Sequence, residues 1–333
     1  MKIFFEILIK KASITMLVFI VFVLLAFAWL LFSSPMSEDK LITIEKNSIG
    51  RNVVNKLEEQ NIIYSKTLFL VYLKISGKSK DIIPGEFLIP ANTGFIGVAN
   101  FITNPKNIYS YKITLVDGQT VKQFLAIINN DPNLSGKIYQ VKEGTMMPDT
   151  YYFIKGDTRE SIIKRSTDAM QQYLDDLWET RDKSLPYKTK HEALVMASMI
   201  EKETGIASER ELIAGLFVNR LKIGMKMQSD PTVAYGLGKP SADKLTKSDL
   251  ITVTPYNTYT MYGLPVGPIA NPSRETLRAT FFPSKTKYLY FVADGKGGHV
   301  FTTNLIDHNK EVVKWREIER EIRRKEKESI VGK

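Results

Sequence analysis

The chain has 333 residues, is 44% hydrophobic and 25% charged, and carries a net charge of +10. Most of it can therefore fold around ordinary cores, and its charge favours anionic or polar polymers as partners. The absence of cysteine excludes disulfides and a cysteine nucleophile, and His191, His299 and His308 show no metal-ligand spacing, so neither a metal nor another cofactor is expected.

Residues 1–11 form a short tail containing Lys2, Lys10 and Lys11. Residues 12–32, ASITMLVFIVFVLLAFAWLLF, contain no charge and are long enough to cross a bilayer as a helix. The run is longer than the apolar region of a signal peptide and leads into SSPMSED without a convincing cleavage site, which predicts an uncleaved anchor. Lysines precede it and Glu38 and Asp39 follow, so the positive-inside rule leaves the N-terminus in the cytoplasm. The expected location is the cell (inner) membrane, single-pass, with the rest of the chain extracytoplasmic (periplasmic). That topology disfavours nucleic acid as a partner.

Residues 33–40 read as a polar linker, reaching under ~30 Å when extended. Residues 41–105 read as a small α+β module in the order strand, helix, helix, strand: Leu41 to Glu45, a helix through Leu57 capped by Ser48, LFLVYLKI capped by Ser65, then GEFLIP. FIGVANFIT reads as a further helix. Residues 106–333 form a larger mixed α+β domain. It begins with a strand, a DG turn and an amphipathic helix in KITLVDGQTVKQFLAII, followed by an aromatic strand near TYYF. Ile162 to Trp178 has helical spacing, as does the run from 191 to 204. Ser208 and Glu211 make an S-x-x-E capping box ahead of the helix ending near Gly224. MKMQSDPTVAYGLG reads as a loop turning at Asp230-Pro231, and TPYNTYTMYGLPVGPIANPS as a long ordered loop. YLYFVADGKGGHVFTTN reads as a hairpin, and the charged tail from 314 as an exposed helix.

The chemistry concentrates at ALVMASMIEKETG, residues 193–205, where Glu201 and Glu203 follow an apolar run. Helical spacing aligns Glu201 with Leu194, Ala197 and Ser198, and Glu203 with Met196, Met199 and Ile200. A carboxyl in such surroundings has its charged form disfavoured and can hold the proton a general acid needs. Structural carboxylates arise in the same pattern, and spacing does not choose between the two. Asn219, Gln228, Asp230, Tyr256, Asn257 and Tyr259, together with Ser229, are polar groups suited to sugar hydroxyls and acetamides, and each is also explained by turn chemistry or packing.

Five blocks in order carry a resemblance: EGTMMPDTYYF, MASMIEKETG, SERELIAGLFVNRLKIGMKMQSDPTVAYGLG, TPYNTYTMYGLPVGPIANPS and YLYFVADGKGGHVFTTNLIDHN. They resemble the signature blocks of the endolytic murein transglycosylases, the MltG or YceG-like family. Departures are Val266 in GLPVGPI, Ser273 after Asn271-Pro272, and Thr145 and Met146 where Trp and Leu are common. The resemblance implies a membrane anchor, a LysM-like module over 41–105 and a catalytic domain beyond. It implies cleavage within peptidoglycan glycan strands to leave a 1,6-anhydro-muramic end, terminating glycan elongation near peptidoglycan synthases. It puts the catalytic glutamate on Glu201; apart from the resemblance, Gln228, Asn257 and Tyr259 are expected to orient the sugar. Two rivals stand beside it: a hydrolytic muramidase with Asp230 or Glu203 as second carboxylate, and a non-catalytic glycan-binding scaffold.

Overall fold

The computed structural model describes residues 2–46, 48, 50–240 and 244–331. The described chain divides into two compact units, Met1–Tyr111 with Tyr152–Asp157, and Lys112–Tyr151 with Thr158–Lys333.

The first unit opens with helix α1, Lys2–Phe32. Its segment Lys10–Phe32 is long and apolar enough to cross a membrane, and only its end packs on the unit, where Trp29 stacks on Tyr64 and Leu31 meets the core. Strand β1 (Lys40–Ile44) then pairs antiparallel with β2 (Gly85–Ile89), with Ile42 opposite Phe87. Helices α2 (Gly50–Glu59) and α3 (Lys66–Ile75) lie between them in sequence, and α4 (Phe95–Ile102) follows. The alternating inward residues Ile42, Ile44, Phe87 and Ile89 meet Val53, Val54, Leu57, Phe69 and Leu73 in one core. Ser65 stands at the N-cap of α3 with extended backbone, but its side chain makes no capping bond. The helix expected to follow Ser48 begins at Gly50, and residue 49 lies outside the described residues.

Strands β3 (Tyr111–Leu115) and β4 (Asp149–Phe153) form a two-stranded sheet, with the hydroxyls of Thr114 and Thr150 3.1 Å apart. Helix α5 (Val121–Asn130) is held by a full capping box between Thr120 and Gln123. Helices α6 (Arg159–Thr180), α7 (Lys190–Glu203) and α8 (Arg210–Lys222) pack around a core that includes Leu174, Met196, Ile200, Ile213 and Phe217. The capping box expected at Ser208 does not form: α8 has Glu209 at its N-cap with no side-chain capping bond. The carboxylate of Glu209 instead accepts from Thr204 Oγ1, the His299 amide and His299 Nδ1.

Three short helices depart from the sequence expectation. The segment after Ser229 is helix α9 (Asp230–Gly236), because Pro231 sits in its first turn, where a missing N–H costs nothing. Helices α10 (Lys247–Ile251) and α11 (Arg274–Phe281) flank the long loop. That loop has no regular element and is buried from Gly267 to Ser273. Strands β5 (Tyr290–Ala293) and β6 (His299–Thr302) make the expected hairpin, and α12 (Leu305–Val331) follows directly.

Candidate functional site

Helix α7 is the frame of the site. Thr189 caps its start by accepting from the Glu192 amide, and every residue from Ala193 to Ile200 is buried. Ser198 donates to Val195 O inside the helix and accepts from the Ile269 amide at 3.0 Å, which fixes the long loop against α7. The last turn then carries Glu201 and Glu203. A helix C-terminus already disfavours negative charge, so both carboxyls depend on what faces them.

Glu201 faces the loop. Its Oε2 accepts from the Ser273 amide at 2.9 Å and from Ser273 Oγ at 2.6 Å. Ser273 is also the N-cap of α11, where its hydroxyl accepts from the Thr276 amide. Glu201 is therefore an acceptor that ties α7 to the start of α11. Its negative charge is felt by Asp117, whose carboxyl is pushed up by burial first and then by Glu201 and Glu275.

Glu203 faces a cavity of about 480 Å³ shared with Gln228, Asp230 and Tyr259. Ser229 Oγ donates to its Oε1. Burial, and then the negative charge of Asp230, push its carboxyl from the usual 4.5 up to about 7, against the opposing pull of Ser229, Arg220 and His299. This carboxyl can carry a proton near neutrality and give it up.

The surroundings are strained and tightly held. Gln228 has φ of 48°, an uncommon conformation for a residue with a side chain, and its amide donates to Thr258 O. Tyr259 Oη donates to Asp230 Oδ1 at 2.6 Å, and its phenol is pushed up by burial and then by that carboxylate. Arg220, almost fully buried, donates from Nε to Leu289 O at 2.6 Å and from Nη1 to Met227 O. It thereby clamps β5 and the strand-like approach to Gln228 onto α8.

Three of the polar residues singled out from sequence thus meet in one cavity, and three do not. Asn257 is fully buried and spends its Nδ2 on the carbonyls of Leu250 (3.1 Å) and Thr252 (2.7 Å), while its Oδ1 accepts from the Tyr259 amide. It shapes the loop that presents Tyr259, rather than standing in the cavity as expected. Asn219 donates to Thr286 O and Tyr288 O and lines a different cleft. Tyr256 packs its ring against Tyr235, with centroids 4.8 Å apart.

The sequence reading missed the wall supplied by the hairpin and α12. Tyr290, His308, Asn309 and Arg316 line the same cavity as Glu203. His308 stacks on Tyr290 at 5.1 Å and its Nδ1 is buried without a hydrogen-bond partner. Burial and the charge of Arg220 push this imidazole down, which favours its neutral form. The signal was the HVFTTNLIDHN junction, where a strand passes into a helix with His and Asn in its first turns.

Among the described residues no cluster of His, Cys, Asp and Glu is arranged to hold a metal.

Comparison with known proteins identifies the family. Residues 42–314 match the YceG-like family. The endolytic murein transglycosylase of Bacillus subtilis (strain 168) is 32% identical over 315 residues, covering 83% of this chain and 86% of that protein. That of Streptococcus pneumoniae serotype 2 is 34% identical over 58% of this chain, although the match spans only 36% of that longer protein. A crystal structure of a putative YceG-like protein from Listeria monocytogenes superposes with a TM-score of 0.50 at 28% identity, covering 82% of this chain and 99% of that one. With the family matched across both units, the chain belongs to the YceG-like family.

Proposed function

We propose that this protein is a membrane-anchored lytic transglycosylase that cuts peptidoglycan glycan strands between N-acetylmuramic acid and N-acetylglucosamine, and that Glu203 is its proton shuttle. The carrying observation is the Glu203 carboxyl, raised to about 7 in a cavity that also holds Gln228, Asp230 and Tyr259. Glu201, the residue expected from the motif, is bound by Ser273 at Oε2, and its Oε1 lies toward the Gly118 turn, so it is the rival candidate for the same role.

Protonated Glu203 donates its proton to the glycosidic oxygen as the bond from muramic C1 to that oxygen breaks. The carboxylate so formed takes the proton of the muramic C6 hydroxyl, whose oxygen bonds to C1 and closes the 1,6-anhydro ring. Glu203 ends protonated, as it began, and no water is consumed. The nucleophile belongs to the substrate, so its effective concentration is high and a second catalytic carboxylate is not required. Asp230 holds the shuttle's proton affinity up by like charge, and Tyr259 holds Asp230 in place.

The hydrolytic alternative gains one observation, the presence of Asp230 in the same cavity. Product mass separates the two: hydrolysis adds a water to the cut strand, and ring closure does not. Strands cut by wild type should carry anhydro ends that disappear with Glu203→Gln.

The apolar helix Lys10–Phe32 supports anchoring, and the lysines before it support a cytoplasmic N-terminus with the catalytic unit outside. In this reading the strand, helix, helix, strand order of residues 41–105 supports a LysM-like, glycan-gripping module. The short linker supports action on strands close to the membrane, beside peptidoglycan synthases. A reporter fused after residue 333 tests the orientation: activity only in a cytoplasmic-type reporter would reverse it.

A further inference from the structure

Helix α1 does not end on a free tether. The segment after it, expected as a linker, is folded onto the first unit. The Ser33 amide donates to Trp29 O at 2.8 Å and so continues the helix, and Tyr64 Oη donates to Ser34 O at 3.0 Å. Met36 is buried in the core of the unit, and its carbonyl accepts from the Asn92 amide. Asp39 Oδ1 then accepts from the Ala91 amide at 2.8 Å. Trp29 stacks on Tyr64 with ring centroids 5.6 Å apart. At Gly94, the N-cap of α4, a Cβ would stand 2.4 Å from Phe32 O. Gly94 has φ of −68°, so it is this close approach that requires glycine, not its conformation.

The junction sets a height. The uncharged run 12–32 spans about 31 Å as a helix, close to the ~30 Å hydrocarbon thickness of a bilayer. Phe32 then lies at the edge of the hydrocarbon, and Trp29 one turn below it, where Trp and Tyr collect. Headgroups extend roughly 5–7 Å further on each side. Tyr64 touches Trp29 and so shares its level, and α3 starts two residues later.

The uncovered face of α3 is apolar. Phe69 and Leu73 are buried in the unit, whereas Leu68, Val71 and Ile75, spaced i, i+3 and i+7, are exposed on another side of the helix. Residues 66–83 carry Lys66, Lys74, Lys78 and Lys80 against one acid, Asp81. Lys66 is paired with Glu58, and the other three lysines have no carboxylate partner among the described residues. An apolar stripe beside lysines is the pattern of a helix lying at a lipid surface, its apolar side toward the acyl boundary and its cations toward anionic headgroups.

We infer that Tyr64 and the first turns of α3, with Leu68 and Val71, form a lipid-docking face that seats the first unit in the headgroup layer around its own anchor. The inference rests on the proposed membrane anchoring. A unit clamped at that height keeps the strand, helix, helix, strand module at the membrane surface instead of letting it range outward on a tether.

The chain has no cysteine, so single labels are unambiguous. The full chain carrying Phe22→Cys, Leu68→Cys or Glu45→Cys is labelled with a polarity-sensitive dye and reconstituted into vesicles of phosphatidylethanolamine and phosphatidylglycerol. The quenchers are lipids spin-labelled at the headgroup or in mid-chain. The label at 22 should lose its emission to the mid-chain quencher. The label at 68 should emit to the blue and lose its emission to the headgroup quencher. The label at 45, beyond the end of β1 remote from Lys40, should lose it to neither. Gly94→Ala, which forces Phe32 and Gly94 apart, should reduce the quenching at 68 and leave that at 22 unchanged. A label at 68 that stays in water while 22 is quenched overturns the docked face and leaves α3 to a protein partner or a second copy. Equal quenching at 45 and 68 overturns it as general adsorption, and quenching at 68 that is insensitive to Gly94→Ala overturns the clamp. An unquenched label at 22 refutes the anchor itself, and the inference with it, so the two failures are told apart.

Discussion

Replacing Glu203 by Gln should make the protein more stable above neutrality while removing its activity. In the folded chain this carboxyl titrates at about 7 instead of 4.5. Between those values the unfolded chain loses its proton and the folded chain keeps it, so folding is progressively disfavoured as pH rises. The contribution is fully present below 4.5 and fully lost once pH has passed about 7. At ~1.4 kcal/mol for each tenfold change in proton affinity, the ceiling is about 3 kcal/mol. Gln cannot ionise, and its Oε1 can still accept from Ser229, so the variant escapes this loss. Urea unfolding followed by tryptophan fluorescence measures it, because Trp178 packs edge-on against the buried Phe281 in the same unit. The stability difference between variant and wild type should grow by about 1–3 kcal/mol from pH 4.5 to pH 8 and then level off. Two parallel curves across that range would show that Glu203 is not held protonated by its surroundings.

Asn257→Ala should cost about 2–4 kcal/mol by stranding the buried carbonyls of Leu250 and Thr252, and should lower activity through Tyr259, as urea unfolding and a digestion assay would report. Asp230→Asn removes the like charge that raises Glu203, so the alkaline limb of the pH–rate profile should move to lower pH; a limb that stays in place would exclude Asp230 from tuning the acid. Glu201→Ala should destabilise by about 1.5–3 kcal/mol through its two bonds from Ser273, whereas Glu201→Gln keeps an acceptor there and should retain most activity.

Much of the scaffold was legible because each element announces itself locally. The apolar run of α1, the period-two alternation of β1 and β2, and the helical stripe of α6 are properties of single segments. The pair of glutamates after a buried helix was equally plain. What the sequence does not state is which way each glutamate points. Residues 201 and 203 are about 200° apart on a helix, so one meets the Ser273 loop and the other the cavity, and only long-range packing decides which is which. The same holds for Asn257 and Tyr259, two positions apart in one loop: the first is consumed by nearby carbonyls and the second reaches Asp230. Ser208 misled for the reverse reason. Its capping pattern is genuine, but Glu209 beside it is recruited by His299 from the distant hairpin, and the tertiary bond displaces the local one. The α12 wall was hidden because its charged sequence resembles a solvated helix, while the few residues that enter the cavity lie near its start.

The most direct measurement is digestion of nascent peptidoglycan by the full chain in detergent, comparing wild type, Glu203→Gln and Glu201→Gln, with the cut ends identified by mass spectrometry. Wild type and Glu201→Gln should both release 1,6-anhydro ends, and Glu203→Gln should release none. Anhydro ends from Glu203→Gln at the wild-type rate, with Glu201→Gln inert, would contradict the assignment of the proton shuttle.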